Sequence, residues 1–465
     1  MQNPEQAHAP KFPAHTDKIY PDGAFYNLIK AVHDERSSPA GEDLRLARAQ
    51  RAGRGDAKDT SAITVEIAQL RLRKAKPLGK KSFSERQLQN QMAGPASAEA
   101  LLRDMGDAAA SKVKREAADI KQMIREEGGD FELAPWDWKY YAERVRKQRY
   151  DLDENETKPY FELNNVLERG VFYTAEKLYG VTMQRRTDLP VHHPDAMSFE
   201  MFDCMGESLA IFCLDSYARA SKRGGWWMTF YARQSPLLGQ NPAVHIVLNV
   251  VKPAEGRPTL PSRSDVTTLF HEFGHGLHGM LSNPKYSTLS GTSVARDFLE
   301  FPSQINEHWA MYNAVLKNYA IRYETKKPIP QALVVKAAYL DLCWHLVAEE
   351  TAAPPQAQVE EAAMKSFGVG MTEVPPRYHS GYFMYTFSGG YASNYYVYQW
   401  ARVLDCDGFE WFLENGGLTR ENGDHLRACV LSVGNSVDAN VAYEKFAGRK
   451  ANTKAFLRIN GLLDK

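Results

Sequence analysis

His271-Glu272-Phe273-Gly274-His275 lies inside a stretch whose apolar residues recur with helical spacing. Val266, Leu269, Phe270, Phe273, Leu277 and Met280 fall on one side of a predicted helix from about Ser264 to Leu281, with Ser264 as its N-cap. Residues four apart on a helix project from the same face, so His271 and His275 offer two imidazoles to one point. Two neutral imidazoles plus one carboxylate are a common ligand set for catalytic zinc, with a further position kept for water. Glu272 then falls beside the cation, where a general base is needed. The bland alternative is two core histidines and a solvated glutamate.

Glu300 follows inside Val294-Ala295-Arg296-Asp297-Phe298-Leu299-Glu300-Phe301-Pro302-Ser303-Gln304. This segment reads as a second helix, bent or started by Pro302, which lacks an N–H. A glutamate there, on a helix packed against the first, can serve as third ligand. Glu307, two turns along the same face, is a candidate to accept an N–H from a ligand histidine. Asp297, three residues before Glu300, is its rival. A metzincin would need Gly at 278 and His at 281, but the chain has His278 and Leu281. That class is excluded, a glutamate third ligand is favoured, and His278 reads as a packed residue or one supporting a ligand rather than as a ligand itself.

The bulk composition agrees with an ordinary soluble globular protein: 465 residues, 43% hydrophobic and 25% charged. Lys+Arg and Asp+Glu balance at 57 each, so no charge excess points to nucleic acid or an anionic membrane. Cys204, Cys213, Cys343, Cys406 and Cys429 are scattered without a C-x-x-C pair, which predicts a reducing compartment. The N-terminus lacks a secretory pattern, and the longest apolar run, near Ala243 to Val251, is too short to span a bilayer. The expectation is a soluble cytoplasmic protein, monomeric or homodimeric.

Three regions emerge along the chain. Residues 1–43 read as a loosely ordered arm with one short helix around Phe25 to His33. Residues 44–180 carry helical patterning, including Ile67, Leu70 and Leu72, then Ile120, Met123 and Ile124. Further helices are predicted over Trp136 to Arg149 and Phe161 to Tyr179. Within 181–465, strand-like runs at Leu209 to Leu214, Trp226 to Tyr231 and Val244 to Val251 form a small sheet, and helices resume after Pro261. The fold class is mainly α.

Between Tyr378 and Tyr398 there are seven tyrosines in 21 residues. Tyr391, Tyr395 and Tyr398 stand at i, i+4 and i+7 and are predicted to share a helix face. Such a face either packs a core or offers phenol O–H groups to a peptide carbonyl and its developing oxyanion. The Gly389-Gly390 pair before it reads as a mobile loop bordering a cleft, favouring the second use.

Phe270 to His278, Ser290-Gly291-Thr292, Asp297 to Gln304, the run from Gly389 to Trp400, Gly416 to Gly423 and Gly434-Asn435-Ser436 together resemble the thimet oligopeptidase family of zinc metallopeptidases. The likeness is strongest to its bacterial peptidyl-dipeptidase branch and runs from about Asp43 to the end. The resemblance implies zinc held by His271, His275 and Glu300, with Glu272 as general base and Tyr395 and Tyr398 as substrate-binding, transition-state-stabilising groups. It also implies a two-lobed helical clam with a channel for short peptides. Family members usually carry a longer helical segment before the matching region, so a shortened upper lobe is expected. They also usually place a histidine before the Gly-Gly-Tyr run, where this chain has Phe383 to Phe387; Tyr385 or His379 is the candidate replacement. Arg377 and His379 are candidates to capture a substrate's free carboxylate. The expected activity is release of C-terminal dipeptides. The competing readings are an oligopeptidase cutting internal bonds and a non-catalytic peptide-binding remnant.

Overall fold

The computed structural model describes residues 51–135, 137–150, 154–327, 379–387 and 391–459. The arm over 1–43, Cys343, Arg377 and the Gly389-Gly390 pair lie outside the described residues, as does the side chain of Tyr385. Among the described residues, seven helices have nine residues or more: α1 (Ser61–Ala75), α2 (Pro95–Glu126), α3 (Asp137–Tyr150), α4 (Arg263–Met280), α5 (Phe301–Met311), α6 (Val397–Glu414) and α7 (Ala439–Ala447). Five strands stand between α3 and α4: β1 (Thr182–Arg186), β2 (Ala196–Phe202), β3 (Ser208–Tyr217), β4 (Trp227–Ala232) and β5 (Ala243–Val250). The molecule is mostly helical with one small sheet, as its patterning predicts. None of the described helices is long and apolar enough to cross a membrane.

The sheet order is β1-β2-β3-β5-β4, with β3 and β5 parallel and the other neighbours antiparallel. Three strands follow the predicted runs. β1 and β2 are not marked by such runs; β1, at an edge, is polar and largely exposed.

The helix over Phe161 to Tyr179 is not continuous. It divides into Leu163–Asn165, a π-helical stretch Val166–Phe172 and Tyr173–Tyr179. Wider π turns mark places where packing displaces the ordinary ladder. Here Gly170 lies under the Tyr319 ring, where an added Cβ would come within 3.0 Å.

The main core joins this segment to the inner face of the sheet, to α4 and α5, and to α6 and α7. Phe172, Phe199, Phe212 and Phe273 meet there, edge to face or tilted except for the stacked Phe199–Phe212 pair. Leu101 and Met105 of α2 pack on Val403 and Cys406 of α6 in a second cluster. By contrast, Leu70 and Leu72 of α1 stay 49% and 37% exposed, so that periodicity marks a helix without a buried stripe.

The packing of α4 on α5 positions the histidines. α4 starts at a capping box: Ser262 Oγ accepts from the Asp265 N–H at 3.1 Å, and the Asp265 carboxylate accepts from the Ser262 N–H at 2.9 Å. The predicted cap, Ser264, lies two residues too far in, because only Ser262 has an acidic residue three positions on. Asn306 Nδ2 of α5 donates to the Phe270 carbonyl at 2.6 Å. Gly274 permits the close approach: an added Cβ would lie 2.6 Å from the Pro302 carbonyl oxygen and 2.7 Å from Ser303 Cα. Gly to Ala inside an exposed helix is stabilising by about 1 kcal/mol. Gly274→Ala should do the reverse, destabilising by about 1–3 kcal/mol because backbone must move. Thermal melting checks this, and an unchanged or raised Tm would contradict the close packing.

A candidate metal centre on the α4 and α5 helices

One α-helical turn separates His271 from His275, and their rings meet edge to face with centroids 4.9 Å apart. Glu300 occupies the break between the short helix Arg296–Leu299 and α5, where Pro302 starts the new helix. That break lets its side chain turn toward α4. Glu300 Oε2 lies 3.3 Å from His271 Nε2 and 3.2 Å from His275 Nε2. For bonds of roughly 2.0–2.2 Å to zinc, a tetrahedral edge is about 3.4 Å. The donor separations therefore fit a single zinc ion held by three protein atoms.

Charge supports the same reading. Burial pulls the His271 pKa down, but hydrogen bonds from its ring to the Glu300 and Glu307 carboxylates reverse this and hold it well above its ordinary value. Negative charge that favours a proton on this ring also favours a divalent cation in its place. Burial pushes Glu300 up, yet His275 and His271 hold its carboxyl well below the usual range. Ser303 Oγ also donates to Glu300 Oε2 at 3.2 Å.

Glu307 Oε1 lies 2.7 Å from His271 Nδ1, which fixes the tautomer that turns Nε2 inward. Its Oε2 accepts from Arg402 Nη1 at 3.1 Å, and Arg402 Nη1 lies 2.7 Å from Asp405 Oδ2. The rival, Asp297, is engaged elsewhere. Its carboxylate accepts from the Met92 and Ala93 N–H groups and from the Tyr396 hydroxyl, tying α6 to the chain before α2. It is a structural anchor because the short helix Arg296–Leu299 directs it away from α4.

Glu272 is 5% exposed, and its Oε2 has no hydrogen-bond partner among the described residues. Burial raises its pKa, only partly opposed by His271 and His275. A buried carboxyl oxygen without a partner costs free energy, and such groups gather at functional sites. His278 is fully buried with its pKa lowered by burial to about 3, so it packs as a neutral ring.

The tyrosines meet differently from the prediction. Residues 391–396 form turns, with Ser393 at φ 56°, and α6 begins only at Val397. A left-handed residue cannot continue a right-handed helix, so Tyr391, Tyr395 and Tyr398 do not share a helix face. They still cluster: the Tyr398 ring stacks on Tyr391 at 5.6 Å and meets Tyr395 at 5.4 Å. Gln304 Nε2 of α5 lies 3.4 Å from the Tyr398 carbonyl, linking this cluster to the Glu300 helix. His379 lies against Tyr382, with ring centroids 6.0 Å apart.

Ser303 and Arg402 join the site although no motif in the sequence marks them. Ser303 stands three residues after Glu300, so its helical spacing carried a signal. Arg402 had none, since its partner Glu307 is distant in the chain.

The family model described as peptidase family M3 matches residues 42–462. The chain belongs to peptidase family M3. Its similarity to the dipeptidyl carboxypeptidase of Salmonella typhimurium is 42% identity over 440 residues, covering 90% of this chain and 65% of that protein. The dipeptidyl carboxypeptidase of Escherichia coli is 41% identical, over 93% of this chain and 66% of its own length. Oligopeptidase A of Escherichia coli is 34% identical, over 87% of this chain and 62% of its own length. The chain thus spans just under two thirds of the length of these relatives.

Proposed function

We propose that this chain is a zinc metallopeptidase of zincin type that acts on short peptides and releases C-terminal dipeptides. The observation that carries the reading is the pair of separations, 3.3 and 3.2 Å, between Glu300 Oε2 and the two Nε2 atoms beside buried Glu272. His271, His275 and Glu300 would hold the ion, and Glu307 would orient His271. When bound, zinc supplies Lewis acidity toward a water and a peptide carbonyl. Glu272 takes the proton of the attacking water at its free Oε2 and returns it to the leaving amine. Tyr395 and Tyr398 donate O–H groups to the carbonyl oxygen as charge develops on it. In this reading the α4–α5 pair sits in one lobe of a helical clam.

The dipeptide specificity is supported by the two dipeptidyl carboxypeptidases at 42% and 41% identity. The similarity to oligopeptidase A favours a second reading, cleavage at internal bonds. Mass analysis of products from one peptide with a free and with an amidated C-terminus separates them. Dipeptide release only from the free form supports the first; equal cleavage of both supports the second. No cleavage of either by zinc-loaded protein would favour a peptide-binding role.

Tyr398→Phe should lower kcat by about 10²- to 10³-fold, the usual size of one oxyanion donor, and leave KM nearly unchanged. Steady-state kinetics with the matching Tyr395→Phe variant check this. Unchanged kinetics in both variants would leave the ring cluster as packing alone.

A further inference from the structure

The sheet has two faces, and the α4 helix covers one. A Cβ added at Gly279 of α4 would meet Met228, Phe230 and Val244, and Phe212 lies against Phe273. Strand alternation sends the intervening residues to the opposite face: Cys213 and Asp215 of β3, Tyr231 of β4 and His245 of β5. Cys213 stands directly beside His245 in the parallel β3–β5 pair. The β1–β2 loop brings His192 onto this face, its ring 4.8 Å from that of His245. His192 Nε2 lies 2.9 Å from Asp215 Oδ2, and the Tyr231 hydroxyl lies 3.0 Å from His192 Nδ1. Donor atoms of His192, Cys213 and His245 all lie within 4.8 Å of one another.

We propose that His192, Cys213 and His245 form a second cation site, separate from the His271–Glu300 centre and suited to a borderline transition-metal ion such as zinc(II) or cobalt(II).

His245 is only 8% exposed, yet its Nε2 has no hydrogen-bond partner among the described residues. A buried, unpaired ring nitrogen beside a sulfur and a second imidazole is what a ligand looks like before its ion is counted. Asp215 supplies an independent argument. Its carboxylate is 1% exposed and is gripped by Arg219 at 2.8 and 2.7 Å and by Lys222 at 3.2 Å. It therefore accepts the Nε2–H of His192 from a fixed position and leaves the Nδ1 lone pair for the ion. A carboxylate receiving the far N–H is the usual support of a metal-bound imidazole.

The donor set selects the cation. A thiolate with two imidazoles favours zinc, cobalt or copper over magnesium or calcium, which prefer oxygen. As the ion binds, the Cys213 S–H bond breaks, its proton passes to solvent, and the sulfur electron pair forms the bond to the metal. The Tyr231 hydroxyl leaves its hydrogen bond to Nδ1 as the ion takes that lone pair. The His192 side chain is 35% exposed, so it can shift to bring the donors to bonding distance without disturbing the strands.

Cobalt distinguishes the two sites, because thiolate ligation gives a strong near-ultraviolet charge-transfer band and the His271, His275 and Glu300 set contains no sulfur. Chelator-stripped protein titrated with cobalt(II) should bind two equivalents per chain, and the band should grow with the second-site equivalent. Cys213→Ala should lose the band and one equivalent, His245→Phe should lose one equivalent, and Tyr231→Phe should keep both. Melting curves of each variant establish that it is folded. The absence of a thiolate band in the wild type at saturating cobalt(II), after the first equivalent has bound, would overturn the proposal, whatever the variants do. So would a band that survives Cys213→Ala and vanishes in Cys406→Ala, whose sulfur lies near His308 and Asp405.

Discussion

Glu272→Gln is expected to keep its zinc and lose about 10²- to 10⁴-fold in kcat, the range of a general acid–base contribution. The amide preserves the shape of a side chain that is 5% exposed, so packing is little disturbed. It cannot take a proton, and that is the role proposed for Oε2. The loss should therefore fall on kcat rather than KM, since no ground-state contact to substrate is removed. Zinc content and steady-state kinetics on the same preparation decide the matter. Near-wild-type kcat with a full complement of zinc would remove Glu272 as the base.

Replacing both imidazoles, in His271→Ala with His275→Ala, should take the protein from about one zinc per chain at this centre to none and reduce hydrolysis to background. A single three-ligand centre cannot hold zinc on Glu300 alone. In the double variant the buried Glu300 carboxyl also loses the two rings that offset its burial, so its pKa should rise toward the neutral form. A second readout needs no activity. A ligand that binds only the native state stabilises by about 4 kcal/mol at a thousand times its Kd. Zinc should therefore raise the Tm of the wild type well above any rise in the double variant. Equal zinc content at this centre in the two proteins would contradict the assignment.

Local chemistry made much of this protein legible from the sequence. Helical geometry is set within four residues, so His271 and His275 were bound to share a face, and Glu272 to sit beside them. Pro302 marked the helix start that frees Glu300 to turn, and Glu307 lay two turns on along the same face. The apolar runs of β3, β4 and β5 announced the sheet, because alternation and β-branched residues act strand by strand. The polar edge strand β1 carried no comparable signal.

Tertiary structure decided what depends on partners distant in the chain. Spacing left Glu307 and Asp297 as rivals; the direction of each helix gave His271 to Glu307 and the Met92 and Ala93 amides to Asp297. The tyrosine spacing predicted one helix face, but the left-handed Ser393 places two of the three in turns, and ring packing gathers them. Cys213 and His245 are 32 residues apart and meet only through the β3–β5 register. Register is fixed by the whole sheet packing on α4, and a slip of one residue in either strand would put the two side chains on opposite faces. For that reason the two histidines and Glu272 of α4 can be read from a few consecutive residues, and the cluster on the outer sheet face cannot.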